Sequence, residues 1–224
     1  MPEQLSLDLP TRTALGRDDF MVSPGNAVAV SLIESWAQWP DGKLVLTGPP
    51  GAGKTHLTHV WAGLTEARIV AAGDLVGADI PELAGGAIAV EDVPQIAGDT
   101  EAMTALFHLH NLALANRQPL LMTGRGAPTH WGLALPDLQS RVGGTQAAML
   151  EPPDDALLTA VLAKLFADRQ LKPRVDVIPY LTLHMERSFE AARRMVAALD
   201  AESLRTQKPV TRVMAAKVLG RDTQ

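Results

Sequence analysis

An α/β fold with a parallel sheet, followed by a smaller all-helical unit, is what this sequence predicts. Three observations carry that expectation. Short apolar runs alternate with helical patterns between residues 43 and 150, the order of a parallel sheet covered on both faces. After Pro152-Pro153 the strands stop and only helix-period patterns follow. The stretch GPPGAGKT, at 48–55, stands between the first strand and the next helix, where a phosphate-binding loop belongs. A chain of 224 residues with 46% apolar content suits one good-sized domain, or a core plus a small appended one.

Residues 26–39 (NAVAVSLIESWAQW) read as a helix with Asn26 as its N-cap, closed by the turn Pro40-Asp41-Gly42. KLVLT (43–47) is a buried-strand run, and residues 54–65 form the next helix. ARIVAA (67–72) is a weaker strand and GAIAV (86–90) a better one. Residues 99–117 read as a helix with acids in its first turn and Arg117 in its last, both favourable to the helix dipole. PLLMT (119–123) is a strand, LPDLQSRV (135–142) a short helix, and TQAAML (145–150) the last strand. Beyond it, Leu157, Leu158, Val161, Leu162, Leu165 and Phe166 share one helix face. Further helical patterns lie near 174–185, 188–204 and 209–219. The expected division is a tail at 1–19, an α/β core at 20–150 and a helical lid at 151–224.

Charge is uneven. Residues 1–150 carry a net −7 and residues 151–224 a net +2, together the −5 of the chain. An acidic body argues against strong direct DNA binding, which needs many phosphate-neutralising cations. The absence of cysteine excludes disulfides, thiolate zinc sites and cysteine nucleophiles. No apolar run reaches the length of a membrane span, and QLSLDLP does not have the pattern of a secretory signal. A cytoplasmic location, with no membrane partner, is expected.

The chemistry lies in the glycine-rich loop. Gly48, Gly51 and Gly53 let the backbone curl so that its N–H groups point at phosphate oxygens, helped by the helix N-terminus. Lys54 reaches the outer phosphates and the Thr55 hydroxyl holds Mg²⁺. A strand running into acids should complete the metal site, and AIAVED (87–92) ends in Glu91 and Asp92. Paired acids at a strand end also cap loops; behind a phosphate loop the metal site is the better reading. His56, His59, His108 and His110 show no ligand spacing, and the four tryptophans suit internal contacts. Arg125, in MTGRG, suits a solvated loop.

These residues resemble a known family. GPPGAGKTHLTHVWA is similar to the phosphate loop of the AAA+ domain of the bacterial initiator DnaA, where His-Leu also follows the lysine and threonine. The strand AIAVED, the strand LLMTG, the box LPDLQSRV and a four-helix lid follow in the same order. The sequence stops after the lid, without DnaA's helix-turn-helix DNA-binding domain, and carries a short tail in place of its large N-terminal domain. That architecture is similar to the Hda family of DnaA-related AAA+ regulators, over residues 4 to 220.

The resemblance implies an AAA+ phosphate-loop core that binds ATP or ADP with Mg²⁺. The nucleotide site would comprise Gly48, Pro49, Pro50, Gly51, Ala52, Gly53, Lys54, Thr55 and His56, with Phe20, Met21 and Val22 against adenine. Thr55 and Glu91 would hold the metal, Asp92 and Thr123 would attend the reacting phosphate, and Thr123 stands where the family has a polar sensor. Arg141 would be an arginine finger acting on a neighbouring AAA+ subunit; a bond to Asp137, four residues earlier, is the alternative. QLSLDL at 4–9 would be a clamp-binding peptide, with Gln4, Leu5, Leu7 and Leu9 engaging the DNA polymerase III sliding clamp as an extended strand.

Two departures stand out. Glu91 precedes the shorter Asp92 where the family usually begins with Asp. Glu190 occupies the position of a lid sensor arginine, with Arg193 and Arg194 one turn later. Either one of these arginines substitutes, or the site tolerates ADP better than ATP; weak self-hydrolysis is expected. The leading expectation is a regulator that binds the clamp and promotes hydrolysis of DnaA-bound ATP, restraining initiation. Self-association through the AAA+ interface stays open. The alternatives are an AAA+ helicase loader or a small phosphate-loop kinase.

Overall fold

Five strands lie side by side in the order β2-β3-β4-β1-β5: Lys43–Thr47 (β1), Arg68–Ala71 (β2), Ile88–Glu91 (β3), Leu120–Gly124 (β4) and Ala147–Met149 (β5). The structure is a computed structural model and describes residues 16, 17 and 20–220. Every strand pair is parallel, so each connection must cross a face of the sheet. Ala27–Glu34 (α1) precedes the sheet, and the crossing helices are Lys54–Thr65 (α2), Ile80–Leu83 (α3), Thr100–Ala115 (α4) and Pro136–Gly143 (α5).

The period-two alternation of β1 divides the core. Leu44 and Leu46 face α1 and α2, in a layer with Ile33, Leu57, Trp61 and Leu121. Val45 faces the other way, toward α4 and α5, with Leu106, Leu109, Leu138 and Met122. Burying strands on both faces is what gives them near-continuous apolar sequences. Trp39 stacks on Trp61 with ring centroids 5.3 Å apart, and Trp131 is buried in the opposite layer.

Four helices follow the sheet: Asp155–Asp168 (α6), Val177–His184 (α7), Phe189–Thr206 (α8) and Arg212–Val218 (α9). They enclose a core of their own, in which Leu158, Leu162, Phe166, Leu181, Val196 and Leu199 are buried.

Two local expectations are corrected. Asn26 does not cap α1 with its side chain. It is buried and turned back over the preceding turn, accepting from Ser23 N–H at 2.8 Å and donating to Met21 O at 2.9 Å. Arg117 is not in the last turn of α4, which ends at Ala115. It adopts a left-handed φ of 56°, with Arg117 N–H donating to Leu114 O and Gln118 N–H to Ala113 O. That is a Schellman closure, which satisfies helix-end carbonyls with a left-handed residue instead of another turn.

Candidate functional site

β1 lies between β4 and β5, where the strand order reverses; in open parallel sheets, ligands bind at the carboxyl ends of strands beside such a reversal. The loop 48–53 leaves β1 there and enters α2. Gly51 (φ +69°) and Gly53 (φ +99°) hold conformations that L side chains resist. A Cβ on Gly51 would also come within 2.3 Å of the Ser188 Cβ. Gly53 precedes the first residue of a 12-residue helix, so unsatisfied N–H groups and the positive end of the dipole face the loop.

Lys54 is buried, and its Nζ donates to Gly48 O and Pro49 O, both at 2.9 Å. The ammonium is thus wrapped by the loop it serves. Burial pushes it below its ordinary pKa; Arg125 adds to that, while Asp92 and Glu91 oppose it. A buried cation in this setting favours an anionic neighbour. Thr55, the next residue, is exposed.

Glu91 ends β3, and Asp92 follows with a left-handed φ of 56°, a conformation that Asp tolerates better than most residues. The Asp92 N–H donates to Thr123 Oγ1 at 3.1 Å, so the acidic turn is tied to the end of β4. Thr123 is buried. Glu91 Oε1 is buried with no hydrogen-bond partner among the described residues. An orphaned carboxylate oxygen beside a buried lysine fits a hydrated cation. Among the described residues no three ligating His, Asp or Glu side chains stand together.

Phe20 is buried and meets the His56 ring edge-on, centroids 5.1 Å apart, while His56 Nε2 lies 3.2 Å from Gly16 O. Met21 and Ser23 are held by the Asn26 amide described above, leaving Val22 half exposed. On the opposite side, α8 begins against the loop. Phe189 N–H donates to Gly51 O at 2.9 Å, and the Ser188 hydroxyl caps α8 by accepting from Ala191 N–H at 3.0 Å. The sequence reading did not single out Ser188, Phe189 or the tethering role of Asn26. A serine just before a helical run was a legible capping signal; its approach to Gly51 was not.

Glu190 is exposed and bonded to Arg194 at 3.2 Å, and Arg194 also reaches Glu186 at 3.8 Å. Arg193 is half-buried. Arg141 stands elsewhere, exposed in the last turn of α5, its guanidinium 5.3 Å from the Phe107 ring centroid. Among the described residues it forms no ion pair with Asp137 or any other carboxylate. Its charge acts on buried His110. Gln4, Leu5, Leu7 and Leu9 lie outside the described residues.

The backbone matches that of domain III of the replication initiation protein DnaA from Thermotoga maritima with a TM-score of 0.81, at 20% identity over 95% of this chain and 98% of that one. An AMPPCP-bound DnaA from Aquifex aeolicus matches at 0.72, with 16% identity over 84% of this chain and 65% of that one. RuvB from Thermotoga maritima matches at 0.67, with 16% identity over 86% and 66%. The chain has an AAA+ fold of the DnaA type. No protein-family model matches the sequence. Among the described residues no helix is long and apolar enough to cross a membrane.

Proposed function

We propose that this protein is a DnaA-related AAA+ regulator of the Hda kind: it holds ATP or ADP with Mg²⁺ in its phosphate loop, docks on the sliding clamp through residues 4–9, and promotes hydrolysis of ATP bound to DnaA. The observation that carries the nucleotide part is the wrapped Lys54, buried between loop carbonyls with Glu91, Asp92 and Thr123 at the neighbouring strand ends. On binding, the loop N–H groups take the phosphates and Lys54 turns from the carbonyls to them. Thr55 and Glu91 would hold the metal, directly or through water, and Mg²⁺ would supply positive charge for the phosphate oxygens. Phe20, with Val22 beside it, offers an apolar wall for the base. Asp92 and Thr123, joined by their hydrogen bond, would orient water at the terminal phosphate.

The placement of Arg141 supports action in trans. It is exposed, stands against Phe107 on α4, and forms no ion pair among the described residues. An arginine presented this way is available to stabilise phosphoryl charge in a neighbouring subunit. Weak self-hydrolysis is consistent with the lid, where Arg194 is engaged by Glu190 and Glu186.

Co-elution with purified sliding clamp, followed by assay of DnaA ATPase with DNA-loaded clamp, tests the reading. The whole chain should bind clamp and accelerate DnaA hydrolysis. Changing Gln4, Leu5 and Leu7 together to Ala should abolish both while leaving thermal stability unchanged. A triple variant that is destabilised yet still binds clamp would place those leucines in the core and sink the proposal.

A further inference from the structure

The overall negative charge conceals a local excess of cations on the lid. Six of its arginines and lysines have carboxylate partners: Lys164 with Asp168, Arg169 with Asp200, Arg187 with Asp155, Arg194 with Glu190, and Arg205 and Lys217 with Glu202. Of the other five described, half-buried Arg193 lies within α8, and Lys172, Arg174, Lys208 and Arg212, all exposed, form no ion pair among the described residues. Three of these four sit on two loops of matching chemistry, LKPRV at 171–175 and QKPVT at 207–211, and Arg212 opens α9 directly after the second. The loops are joined by a hydrogen bond from Arg174 N–H to Val210 O at 3.0 Å. Each of the four cations is Arg174 itself or stands two residues from one end of that bond. Asp176, the adjoining acid, leaves three positive charges in excess.

The loops also hold their cations in place. Pro173 and Pro209 fix φ at one position in each, and Ser203 Oγ donates to Lys208 O at 2.7 Å. The Arg212 guanidinium lies 5.0 Å over the Tyr180 ring. Unpaired cations on stiff loops lose little entropy when a polyanion arrives and have no internal carboxylate to surrender. The Arg212 contact also occupies a face of Tyr180, the aromatic side chain beside these loops, so a base has less of a platform on which to stack.

We propose that these two Lys-Pro loops form a docking surface for double-stranded nucleic acid, gripping its phosphates without reading base sequence. A duplex presents one negative charge per roughly 1.7 Å of its axis, a density that an acidic protein surface does not reach. The surface is remote from the phosphate loop by chemistry and by element, since it uses the α6–α7 and α8–α9 connections and neither β1 nor the start of α8. It therefore stands independently of the nucleotide reading.

The test is fluorescence anisotropy of the full chain with a labelled mixed-sequence duplex of about 30 base pairs, titrated between about 50 and 200 mM salt. Binding should appear at the low end and fall with a log–log slope of about −3 to −4, set by up to four phosphate contacts. Changing Lys172, Arg174, Lys208 and Arg212 together to Gln should abolish it, with nucleotide affinity and melting temperature unchanged. The variant that keeps Arg212, and so its contact with Tyr180, should lose about three-quarters of the slope, which separates charge from packing. No binding at low salt, or undiminished binding by the fourfold variant, overturns the proposal. Displacement by polyglutamate as efficient as by unlabelled duplex would also overturn it, in favour of an acidic protein partner.

Discussion

The sheet core and the helical lid are built by opposite means. The core is acidic and made of distant pairings: β1 is flanked by strands about eighty and a hundred residues later in the chain. The lid is slightly basic, and each of its helices contacts others within residues 151–224. Near the phosphate loop they meet through Gly51 and the Ser188-Phe189 start of α8. The difference separates two jobs. The core supplies the backbone cradle of the phosphate loop, and the lid sets one helix end against it.

The largest effect that would sharpen this division is expected at Arg141. Arg141→Ala should bind nucleotide and clamp normally but lose about 10³–10⁵-fold in stimulated DnaA hydrolysis, measured by phosphate release. A variant that still stimulates would move the catalytic contribution away from α5. Next comes Lys54→Ala, which leaves loop and phosphate without their shared cation. Truncating one partner of a buried charge pair costs about 2–5 kcal/mol, so ATP and ADP affinity should fall from tens-fold to thousands-fold in a folded protein. Calorimetric titration reads this directly, and unchanged affinity would break the site assignment.

Gly51→Ala tests the junction itself. The new Cβ meets Ser188 at 2.3 Å with φ at +69°, combining a left-handed penalty of about 1–2 kcal/mol with overpacking of about 1–3 kcal/mol. Melting should drop by several degrees, and hydrogen exchange should rise at the start of α8 while β1 and β4 stay protected. Adding Ser188→Gly should recover part of the loss. Equal loosening of core and lid would show that the two are one cooperative unit.

The smallest effect concerns acid. His110 on α4 is buried, and neither ring nitrogen has a hydrogen-bond partner of good geometry among the described residues. Burial first, then the charges of Lys43 and Arg141, push its pKa down to about 4, with neighbouring Asn111 opposing. The folded state therefore resists a proton that the unfolded chain accepts near the ordinary value of 6.5. Stability should be intact above pH 6.5 and decline as pH falls toward 4. His110→Leu should flatten thermal stability across that window, and an unchanged slope would assign the acid response to other groups.

Much of this was legible because it is local. The strand–loop–helix grammar of GPPGAGKT, the continuous apolar run of β1 and the face repeat of α6 each depend on neighbours in sequence, and the structure reproduces them. The misreadings were also local, at chain reversals. Asn26 has the chemistry of a cap but spends its amide on the preceding turn, and Arg117 has the charge of a helix end but serves as the left-handed closure. In both, side-chain preference was right and backbone geometry chose a different use.

By itself, then, the sequence determined which segments are strand or helix and which loop has the residues to hold phosphate, because backbone period and glycine freedom act over a few residues. Only the tertiary structure decided that Ser188 closes on Gly51, that Arg141 stands over Phe107 away from Lys54, and that two Lys-Pro loops 36 residues apart share one hydrogen bond. Those contacts join residues far apart in the chain, and their energy appears only when buried apolar surfaces have already set the elements against one another.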